Sequence, residues 1–366
     1  MKILFLIFSF NTGGIERQLI EMSNNMVRKG HSVTLCVVNH NYEETLFKKF
    51  DCKVKIVRLE RPVGSHCKLA YMRKLATLVR NDNIDVIHCQ EPTDVVLVSL
   101  AKIVNPHVKV IETVHDIGEA KNYSNIELRL ADRFCDKYVA ISKAVKDEML
   151  QRGISEEKIT VIYNAVNTDK FQFKNNKRDD NRLSNKDRSI VIGNVARFYP
   201  EKKGQFVLVK AVEKLRQKHP NIRCLFAGAV YRDQDKNWER INQYVIEHNL
   251  TQNIKFMGNV DDIPGFLSQI DIFVLPSYYE GFGISLIEAM AMGIPSVASD
   301  IDGPKEIITD NSFGKLFKVG DVNDIVSKID YVIENYDSYD CEVISDYIKH
   351  TYGIDSMVDK HIRVYT

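Results

Sequence analysis

A nine-residue stretch, EGFGISLIE (280–288), places a carboxylate at each end of a run of glycine and apolar residues. It follows DIFVLP (271–276), a short apolar run that is typical of a buried strand. Its two glycines keep the first residues out of regular helix, and we predict that a helix begins near Ile284. Free N–H groups at such a helix start, here expected at 283–286, attract anions. The sequence therefore predicts an anion site here.

The two carboxylates of this stretch could act as an acid/base pair or hold a ligand from two sides. Glu280 is expected on the loop before the helix, and Glu288 in the first helical turn. A diphosphate at the helix start would then have one carboxylate toward the nucleoside and one toward a sugar. For Glu288, a favourable first-turn acid without further function is the plain alternative.

A second group of charged residues follows another strand-like run, SIVIGNVA (189–196). In the segment ARFYPEKKG (196–204), Arg197 and Lys203 lie six residues apart on a loop that contains a proline. Two cations at the carboxyl end of a strand suit a diphosphate leaving group. The alternative is a charged surface loop.

A glycine pair in NTGGIE (11–16) follows the first strand, ILFLIF (3–8), and precedes a helix. The backbone N–H groups around Gly14 can approach an anion. The pattern is not G-x-G-x-x-G, and no acidic residue ends the second strand. These departures argue against nicotinamide chemistry.

The elements that position these residues are short apolar strands that alternate with amphipathic helices. Strands without polar alternation, separated by helices, predict an α/β fold with parallel sheets covered on both faces. The polar segment 174–188 interrupts the alternation, which then restarts, and we interpret it as an exposed linker. The sequence thus predicts two doubly wound Rossmann-like domains that face each other across a cleft. Their bounds are 1–170, with a C-terminal helix at about 350–366 packing back on this domain, and 171–349.

Composition excludes several classes of protein. A chain of 366 residues with a net charge of +1 is long enough for two domains and is no nucleic-acid binder by electrostatics. Seven cysteines without a C-x-x-C pair indicate reduced thiols in a cytosol. No run approaches the ~20 apolar residues of a membrane span, and MKILFLIF is interpreted as a buried strand.

Positive charge is concentrated from Lys48 to Arg80, where ten basic residues face only Asp51 and Glu60. This patch could attract an anionic membrane surface or a phosphorylated acceptor. A solvated face is the alternative on charge alone.

Five motifs in order resemble the retaining GT-B glycosyltransferases of family 4. They are NTGGIE, TVHD (113–116), IYNAVNTDKF at the domain seam, ARFYPEKKG and EGFGISLIEAMAMGIPSVASD. The resemblance extends from about residue 3 to residue 360, and it implies an acceptor-binding N-terminal domain (1–170) and a nucleotide-sugar-binding C-terminal domain (171–349). It departs at Ala165 and Asn167, where the family often has Gly and Asp, and at Pro304, where a glycine pair is common.

The resemblance implies a role for each matching residue. Arg197 and Lys203 would hold the donor diphosphate, Glu288 the ribose, and Glu280 the transferred sugar. Backbone amides around Phe282, Gly283 and Ile284, with Gly14 of the other domain, would contact the phosphates. His115 would lie near donor sugar and acceptor, and Val260 beside the base. The catalytic set is then His115, Arg197, Lys203 and Glu280.

The resemblance implies metal-independent transfer of a sugar from a nucleotide-sugar, expected to be a UDP-sugar, without a cofactor. The acceptor would be a saccharide or lipid-linked saccharide in capsule, exopolysaccharide or lipopolysaccharide biosynthesis. We expect a cytoplasmic protein, with peripheral docking on the inner face of the cell membrane as a hypothesis. The acidic pairs at 179–180 and 261–262 are expected to lie in the linker and at a helix start rather than in a metal site. A GT-B sugar-nucleotide epimerase and a catalytically inactive GT-B binding protein are the alternatives.

Overall fold

The computed structural model describes residues 1–63, 68–115, 125–173, 189–230 and 234–366. Its contacts divide the chain into two compact units. The first unit comprises Met1–Ala165 with Ile354–Thr366, and the second comprises Val166–Gly353. The predicted linker 174–188 lies outside the described residues.

The first unit is built on one parallel sheet. Its described strands are β1 (Lys2–Ile7), β2 (Ser32–Asn39), β3 (Lys55–Arg61), β4 (Val86–Cys89), β5 (Lys109–Val114), β6 (Lys137–Ala140) and β7 (Ile159–Val161), in the spatial order β3-β2-β1-β4-β5-β6-β7. The helices between them are α1 (Gly14–Arg28), α2 (Glu44–Phe47), α3 (Lys68–Asp82), α4 (Pro92–Val104), α5 (Asn125–Phe134) and α6 (Lys143–Gln151). A short 3₁₀ turn spans Glu156–Lys158.

The second unit repeats this architecture. Its described strands are β8 (Val191–Val195), β9 (Arg223–Ala227), β10 (Ile254–Phe256), β11 (Ile272–Leu275), β12 (Ser296–Ser299) and β13 (Gly314–Phe317), in the order β10-β9-β8-β11-β12-β13. Its helices are α7 (Pro200–Lys203), α8 (Gln205–Leu215), α9 (Asp235–Glu247), α10 (Ile263–Leu267), α11 (Ile284–Ala291), α12 (Asp302–Ile307), α13 (Val322–Glu334) and α14 (Cys341–Tyr352). A 3₁₀ turn spans Tyr336–Ser338.

The strands are buried because helices cover both faces of each sheet. Four consecutive residues of β1, Ile3 to Leu6, are fully buried, as are all four residues of β11. Every strand pair in both sheets is parallel, as in β1 with β4 and β8 with β11. The prediction of two doubly wound parallel α/β units is confirmed.

The last helix, α15 (Ile354–Tyr365), belongs to the first unit. It packs on α1, where Asn25 donates to Asp355 at 2.7 Å and Lys29 pairs with Asp359 at 2.8 Å. Its apolar residues join the core of the first unit, and Tyr365 is almost fully buried there. The prediction that a C-terminal helix packs back on the first domain is confirmed.

Each sheet has one place where the strand order reverses. It lies between β1 and β4 in the first unit and between β8 and β11 in the second. Ligands of open α/β sheets bind beside such a switch point, at the carboxyl ends of the strands. The loops after these four strands are therefore where a site is expected.

Candidate active site

Two loops meet at the switch point of the second unit, one after β8 and one after β11. The backbone N–H of Tyr278 donates to the carbonyl of Lys202 at 2.9 Å. Gly204 has a φ of +65°, and a Cβ there would lie 1.9 Å from the carbonyl oxygen of Pro276. Only glycine permits this approach, so the two loops are held together by their backbones.

This contact brings Lys203 and Glu280 together. The Lys203 Nζ lies 2.6 Å from the Glu280 Oε2, and the two side chains are 20% and 17% exposed. The same oxygen accepts a hydrogen bond of 3.3 Å from the hydroxyl of the buried Ser277. Because water is partly excluded, this pair interacts more strongly than one on an open surface.

Arg197 lies at the carboxyl end of β8 and is exposed. The Nε2 of Gln205 donates to the Arg197 carbonyl at 2.9 Å, which fixes the backbone that carries the guanidinium. The prediction that Arg197 and Lys203 share one loop is wrong in part, because Lys203 is the last residue of α7. Pro200 starts this short helix, since a proline at the first helical position loses no hydrogen bond.

Helix α11 begins at Ile284, as predicted, and Gly283 precedes it with φ of 113° and ψ of 58°. The N–H of Leu286 donates to the Gly283 carbonyl at 3.0 Å. The set of free amides that we predicted over 283–286 therefore loses Leu286. The start of helix α11 still lies after β11, beside the loop that carries Glu280.

Glu288 is the fifth residue of α11 and is 6% exposed. The prediction that it lies in the first turn is wrong, because a turn takes 3.6 residues and the helix already begins at Ile284. The plain alternative, a first-turn acid that favours the helix dipole, loses its basis. A carboxylate is rarely this buried without a function or an interaction partner. Glu288 does interact with a neighbouring group in this structure.

Phe282 contributes its side chain to the core and its backbone to the loop. Its ring is 1% exposed and packs edge-on against Tyr352, with centroids 5.4 Å apart. A Cβ on Gly303 would lie 2.5 to 2.7 Å from backbone atoms of Phe282. Gly303 therefore lets α12 approach this loop closely, a role that we did not predict. The single glycine in GPKE (303–306) is the signal that could have revealed it.

Val260 is half-buried and follows β10, which lies two strands from β8 in the sheet. The loop before it is tied to the next strand, because the N–H of Gly228 donates to the Gly258 carbonyl at 2.7 Å. In the second unit, Arg197, Lys203, Glu280 and Val260 thus all follow carboxyl ends of strands at one edge.

In the first unit, His115 directly follows β5. Its Nε2 lies 2.8 Å from the Oε1 of Gln90, which follows β4. Because this amide oxygen can only accept, Nε2 carries the proton and Nδ1 keeps its lone pair. Burial, and after it the charge of His361, lower the pKa of His115 to about 3. The ring is therefore neutral near pH 7. The last residue of the TVHD motif, at 116, lies outside the described residues.

Gly14 is the first residue of α1, and Gly13 precedes it in an extended conformation. The loop before the helix is tied down by Thr12, whose hydroxyl donates to Glu43 at 2.6 Å and whose N–H donates to it at 3.2 Å. A glycine turn before a helix is therefore present at the carboxyl end of β1, and anion binding there stays a prediction.

The acidic pair at 261–262 has a local structural role. Asp262 caps α10, and its Oδ1 accepts from the N–H of Gly265 at 2.9 Å. In the parts of the chain that the structure describes, no group of three or more His, Cys, Asp or Glu could hold a metal. The pair at 179–180 lies outside those parts.

Two family models match this chain one after the other. The model for glycosyltransferase family 4 matches residues 12–170, and the model for glycosyl transferases group 1 matches residues 175–350. The chain belongs to the family 4, group 1 glycosyltransferases. Both matched segments contain the predicted site residues of their unit, and the enzyme is a glycosyltransferase with the GT-B fold.

Relatives of this glycosyltransferase cover most of its length. The capsular polysaccharide biosynthesis glycosyltransferase CapM of Staphylococcus aureus is 24% identical over 302 residues, which cover 79% of this chain and 78% of CapM. The UDP-Gal:α-D-GlcNAc-diphosphoundecaprenol α-1,3-galactosyltransferase of Escherichia coli is 25% identical over 269 residues, 70% of this chain and 68% of the relative. Relatives of this glycosyltransferase thus include enzymes of polysaccharide biosynthesis.

A solved structure shows the same fold. HepE of Anabaena, in a crystal structure with UDP and glucose, superimposes with a TM-score of 0.83 at 22% identity, covering 100% of this glycosyltransferase and 99% of HepE. The likeness extends over both units of the chain.

Proposed function

We propose that this glycosyltransferase moves a sugar from a UDP-sugar to a saccharide or lipid-linked saccharide in surface polysaccharide biosynthesis. The observation that carries the proposal is the Lys203–Glu280 pair beside the glycine-led start of α11. The choice of UDP as the nucleotide of the donor is supported by the HepE complex and by the name of the E. coli relative. Capsule, exopolysaccharide and lipopolysaccharide remain three alternative products.

The chemistry requires stabilisation of a departing diphosphate. When the bond between sugar and phosphate breaks, negative charge grows on the leaving UDP, and fixed positive groups lower the barrier. Lys203, Arg197 and the amides at the start of α11 would supply this charge, and the proposal needs no metal. Gly14 would contribute a further amide from the first unit.

Binding of the nucleoside is assigned to two other residues. The buried Glu288 would accept hydrogen bonds from the ribose hydroxyl groups, and Val260 would contact the base. The backbone at Phe282, Gly283 and Ile284 would bind the phosphates, since Gly303 and Gly204 hold this loop in place.

Glu280 would orient Lys203 and a hydroxyl group of the transferred sugar. Its Oε2 is already occupied by the ammonium and by Ser277, which disfavours a role as a nucleophile. In a retaining reaction by front-face attack, the leaving phosphate would take the acceptor proton. His115, neutral because burial lowers its pKa, would lie near the transferred sugar and the acceptor.

We also propose that the stretch Lys48–Arg80 docks the enzyme on the cytoplasmic face of an anionic membrane. Lys48, Lys49 and Lys53 are exposed in its first part. Two other basic residues are already paired, Lys55 with Asp82 at 2.6 Å and Arg58 with Glu44 at 2.7 Å, so the usable charge is smaller than the sequence suggests. No helix in the described parts of the chain is long and apolar enough to cross a membrane.

The test is a screen of UDP-, GDP- and ADP-sugars by thermal shift, followed by product analysis with and without saccharide acceptors. A ligand that binds the folded state raises the melting temperature by mass action. We expect UDP-sugars to stabilise the protein and transfer to need an acceptor. Conversion of the UDP-sugar without acceptor would instead identify an epimerase, and binding without any turnover an inactive binding protein.

A further inference from the structure

The side chain of Gln90, a residue that the sequence motifs did not single out, links the ends of two neighbouring strands in the first unit. Gln90 directly follows β4 and is 2% exposed. Its Oε1 lies 2.8 Å from the Nε2 of His115, which follows β5. Its Nε2 donates to the backbone carbonyl of His88 at 3.4 Å. The amide therefore has a contact on each side.

The two contacts fix which way the amide of Gln90 faces. A backbone carbonyl can only accept a hydrogen bond, so the NH₂ group faces His88 and Oε1 faces His115. The reversed amide would set two acceptors against each other at the His88 carbonyl, at the cost of a buried unpaired group. Since Oε1 can only accept as well, the Nε2 of His115 is the donor.

The backbone of Gln90 is held in place by the start of α4. Its N–H donates to the Oδ2 of Asp94 at 3.1 Å, and Asp94 is fully buried. The N–H of Asp94 in turn donates to the carbonyl of Glu91 at 3.0 Å. Burial, and after it the charge of Glu91, raises the pKa of Asp94. Because the carboxyl oxygen can accept from an N–H in either protonation state, this support does not depend on the charge of Asp94.

Two further histidines belong to the surroundings of the His115 ring. A charge on His361 of α15 would lower the pKa of His115, and a charge on His115 would lower that of His88 in β4. Both neighbours are buried, and burial lowers the pKa of His361 to about 4 and that of His88 well below its usual value. The ring nitrogens of His88 lie 2.6 Å from the hydroxyl groups of Tyr365 and Thr113. These histidines therefore carry no charge at neutral pH.

An amide partner affects a histidine differently from a carboxylate partner. A carboxylate stabilises the imidazolium and raises the pKa of the ring. The amide of Gln90 orients the ring of His115 without stabilising its charged form. A charged ring would raise the barrier of the proposed reaction, because positive charge develops on the sugar when the bond to the diphosphate breaks.

We propose that Gln90 is a positioning residue, which holds His115 in place as the uncharged tautomer with its proton on Nε2. The inference rests on the proposed function, because the tautomer matters for transfer only if His115 lies near the sugar. It deepens that function by assigning to Gln90 the orientation of an active-site side chain.

The first test reads the tautomer of His115 directly by NMR of the full chain with nitrogen-15 in its histidines. A protonated and an unprotonated ring nitrogen give separate signals, and the spectrum of His115→Asn identifies those of His115. We expect the proton on Nε2 in the wild type, with no titration of this ring between about pH 5 and pH 8. Gln90→Met keeps the length of the side chain without an acceptor oxygen, and should give a mixture of tautomers. Gln90→Glu should bring the pKa of His115 into that pH range.

Initial rates test whether this tautomer matters for transfer. Gln90→Met should lower kcat roughly tenfold or more and leave the KM for the UDP-sugar within a factor of about two, because other residues bind the nucleotide. In Gln90→Glu, kcat should approach the wild-type value at about pH 9, where the ring is neutral, and fall as the ring gains a proton. A purely structural role of Gln90 would not produce this dependence on pH.

Gln18→Met is the matched control. Gln18 is a buried glutamine of the same unit, but its amide bonds the N–H and the carbonyl of Ala165 instead of a histidine. This variant should show the wild-type tautomer of His115. Binding of UDP to every variant, as tightly as to the wild type, would show that all are folded.

Two results would overturn the inference. One is a proton on the Nδ1 of His115 in the wild type, and the other is an unchanged tautomer and kcat in Gln90→Met. If the wild type transferred no sugar from any UDP-sugar, the proposed function would fail, whereas the NMR spectra would still decide the tautomer.

Discussion

The ammonium of Lys203 and the carboxylate of Glu280 lie 2.6 Å apart although 76 residues separate them in the chain. The pair joins the end of α7 to the loop after β11, across the switch point of the second sheet. Under the proposed function, the cation that would receive a diphosphate is held in place by a carboxylate. Preorganised charge of this kind costs no reorganisation during the reaction.

Removing the cation should abolish most transfer. For Lys203→Ala we expect a loss in kcat of about 10²- to 10³-fold, the range for deleting one group that stabilises a developing anion. Glu280→Gln keeps the shape but frees the ammonium, and should lower kcat by a smaller factor. Initial rates at saturating UDP-sugar measure both effects.

Lys210→Ala is the matched control for this pair. Lys210 belongs to the same unit, and its ammonium lies over the Phe206 ring at 4.4 Å, away from the loop after β11. The variant should transfer at the wild-type rate. Wild-type kcat in Lys203→Ala would show that the ion pair is structural only.

Glu288 should act on donor binding rather than on the chemical step. Glu288→Gln should raise the KM for the UDP-sugar about tenfold and leave kcat within a factor of about two, because ribose hydroxyl groups contact the enzyme equally before and during bond cleavage. Glu334→Gln, on the exposed end of α13, serves as the control. A fall in kcat with unchanged KM would contradict the assigned role.

The close approach at Gly204 predicts a large loss of stability on substitution. Gly204→Ala places a Cβ 1.9 Å from the Pro276 carbonyl oxygen, so the loops must separate, and we expect about 3 kcal/mol or more in the free energy of unfolding. Gly258 has the same φ of +65° with nothing within 4 Å of a Cβ, so Gly258→Ala should cost only about 1 kcal/mol. Urea unfolding measures the free energy of unfolding of both variants. If both lost the same amount, a steric cause at Gly204 would be ruled out.

Two buried histidines, His88 and His361, and the half-buried His115 predict lower stability in acid. Burial lowers the pKa of His361 to about 4, that of His115 to about 3, and that of His88 well below its usual value. Since the unfolded chain protonates near pH 6.5 and the folded state does not, stability present above that pH is lost as the pH falls toward 4. From pH 7 to pH 5, the free energy of unfolding should fall by roughly 2 kcal/mol less in His361→Leu than in the wild type, as measured by urea unfolding.

His350→Leu is the control for this experiment. The Nδ1 of each histidine forms a hydrogen bond with the backbone carbonyl four residues earlier, Asp346 for His350 and Met357 for His361. His350 differs in that its side chain is exposed. Its variant removes an exposed histidine at a comparable helix position and is unfolded in urea alongside His361→Leu. Parallel curves for the wild type and His361→Leu would show that His361 does not titrate in this range.

The basic stretch Lys48–Arg80 predicts binding to anionic membranes. Co-sedimentation should recover the enzyme with phosphatidylglycerol-rich liposomes at low salt and not with neutral ones, because about 1 kcal/mol per exposed basic residue acts only near the surface. Changing Lys48, Lys49 and Lys53 to Glu should release it. Lys214, Lys236 and Lys255 of the second unit, changed in the same way, provide the control, and binding to neutral liposomes would contradict the hypothesis.

The sheets were predictable because their strands are apolar throughout. Runs such as DIFVLP can be buried only when both faces of a sheet are covered, which parallel α/β folds provide. A helix cap is also readable at the start of α6, where the hydroxyl of Ser142 accepts from the N–H of Val145 at 3.2 Å. Helix α4 was not predicted, because its apolar composition obscures the helical period and only Pro92 marks its start.

The sequence was sufficient to predict which residues belong to the candidate site, but not which of them contact each other. The motifs identify Lys203 and Glu280, yet their pairing depends on how closely two loops approach, which Gly204 and Pro276 decide. A cavity of about 460 Å³ in the first unit is lined by Phe8, Asn39 and Arg61, which follow or end strands that are distant in sequence. The volume of such a cavity depends on how the elements pack. Hydrophobic patterns in the sequence predict the elements that line it but not its size.

Helix α15 has a consequence for folding during synthesis. Its residues Ile354, Met357 and Val358 complete the core of the first unit, yet the ribosome adds them only after the whole second unit has been made. Until then, the apolar surface of α1 that they cover is open to solvent. A nascent chain of this enzyme therefore carries an unfinished first unit while the second unit emerges, and chaperones have their longest opportunity to bind at that stage.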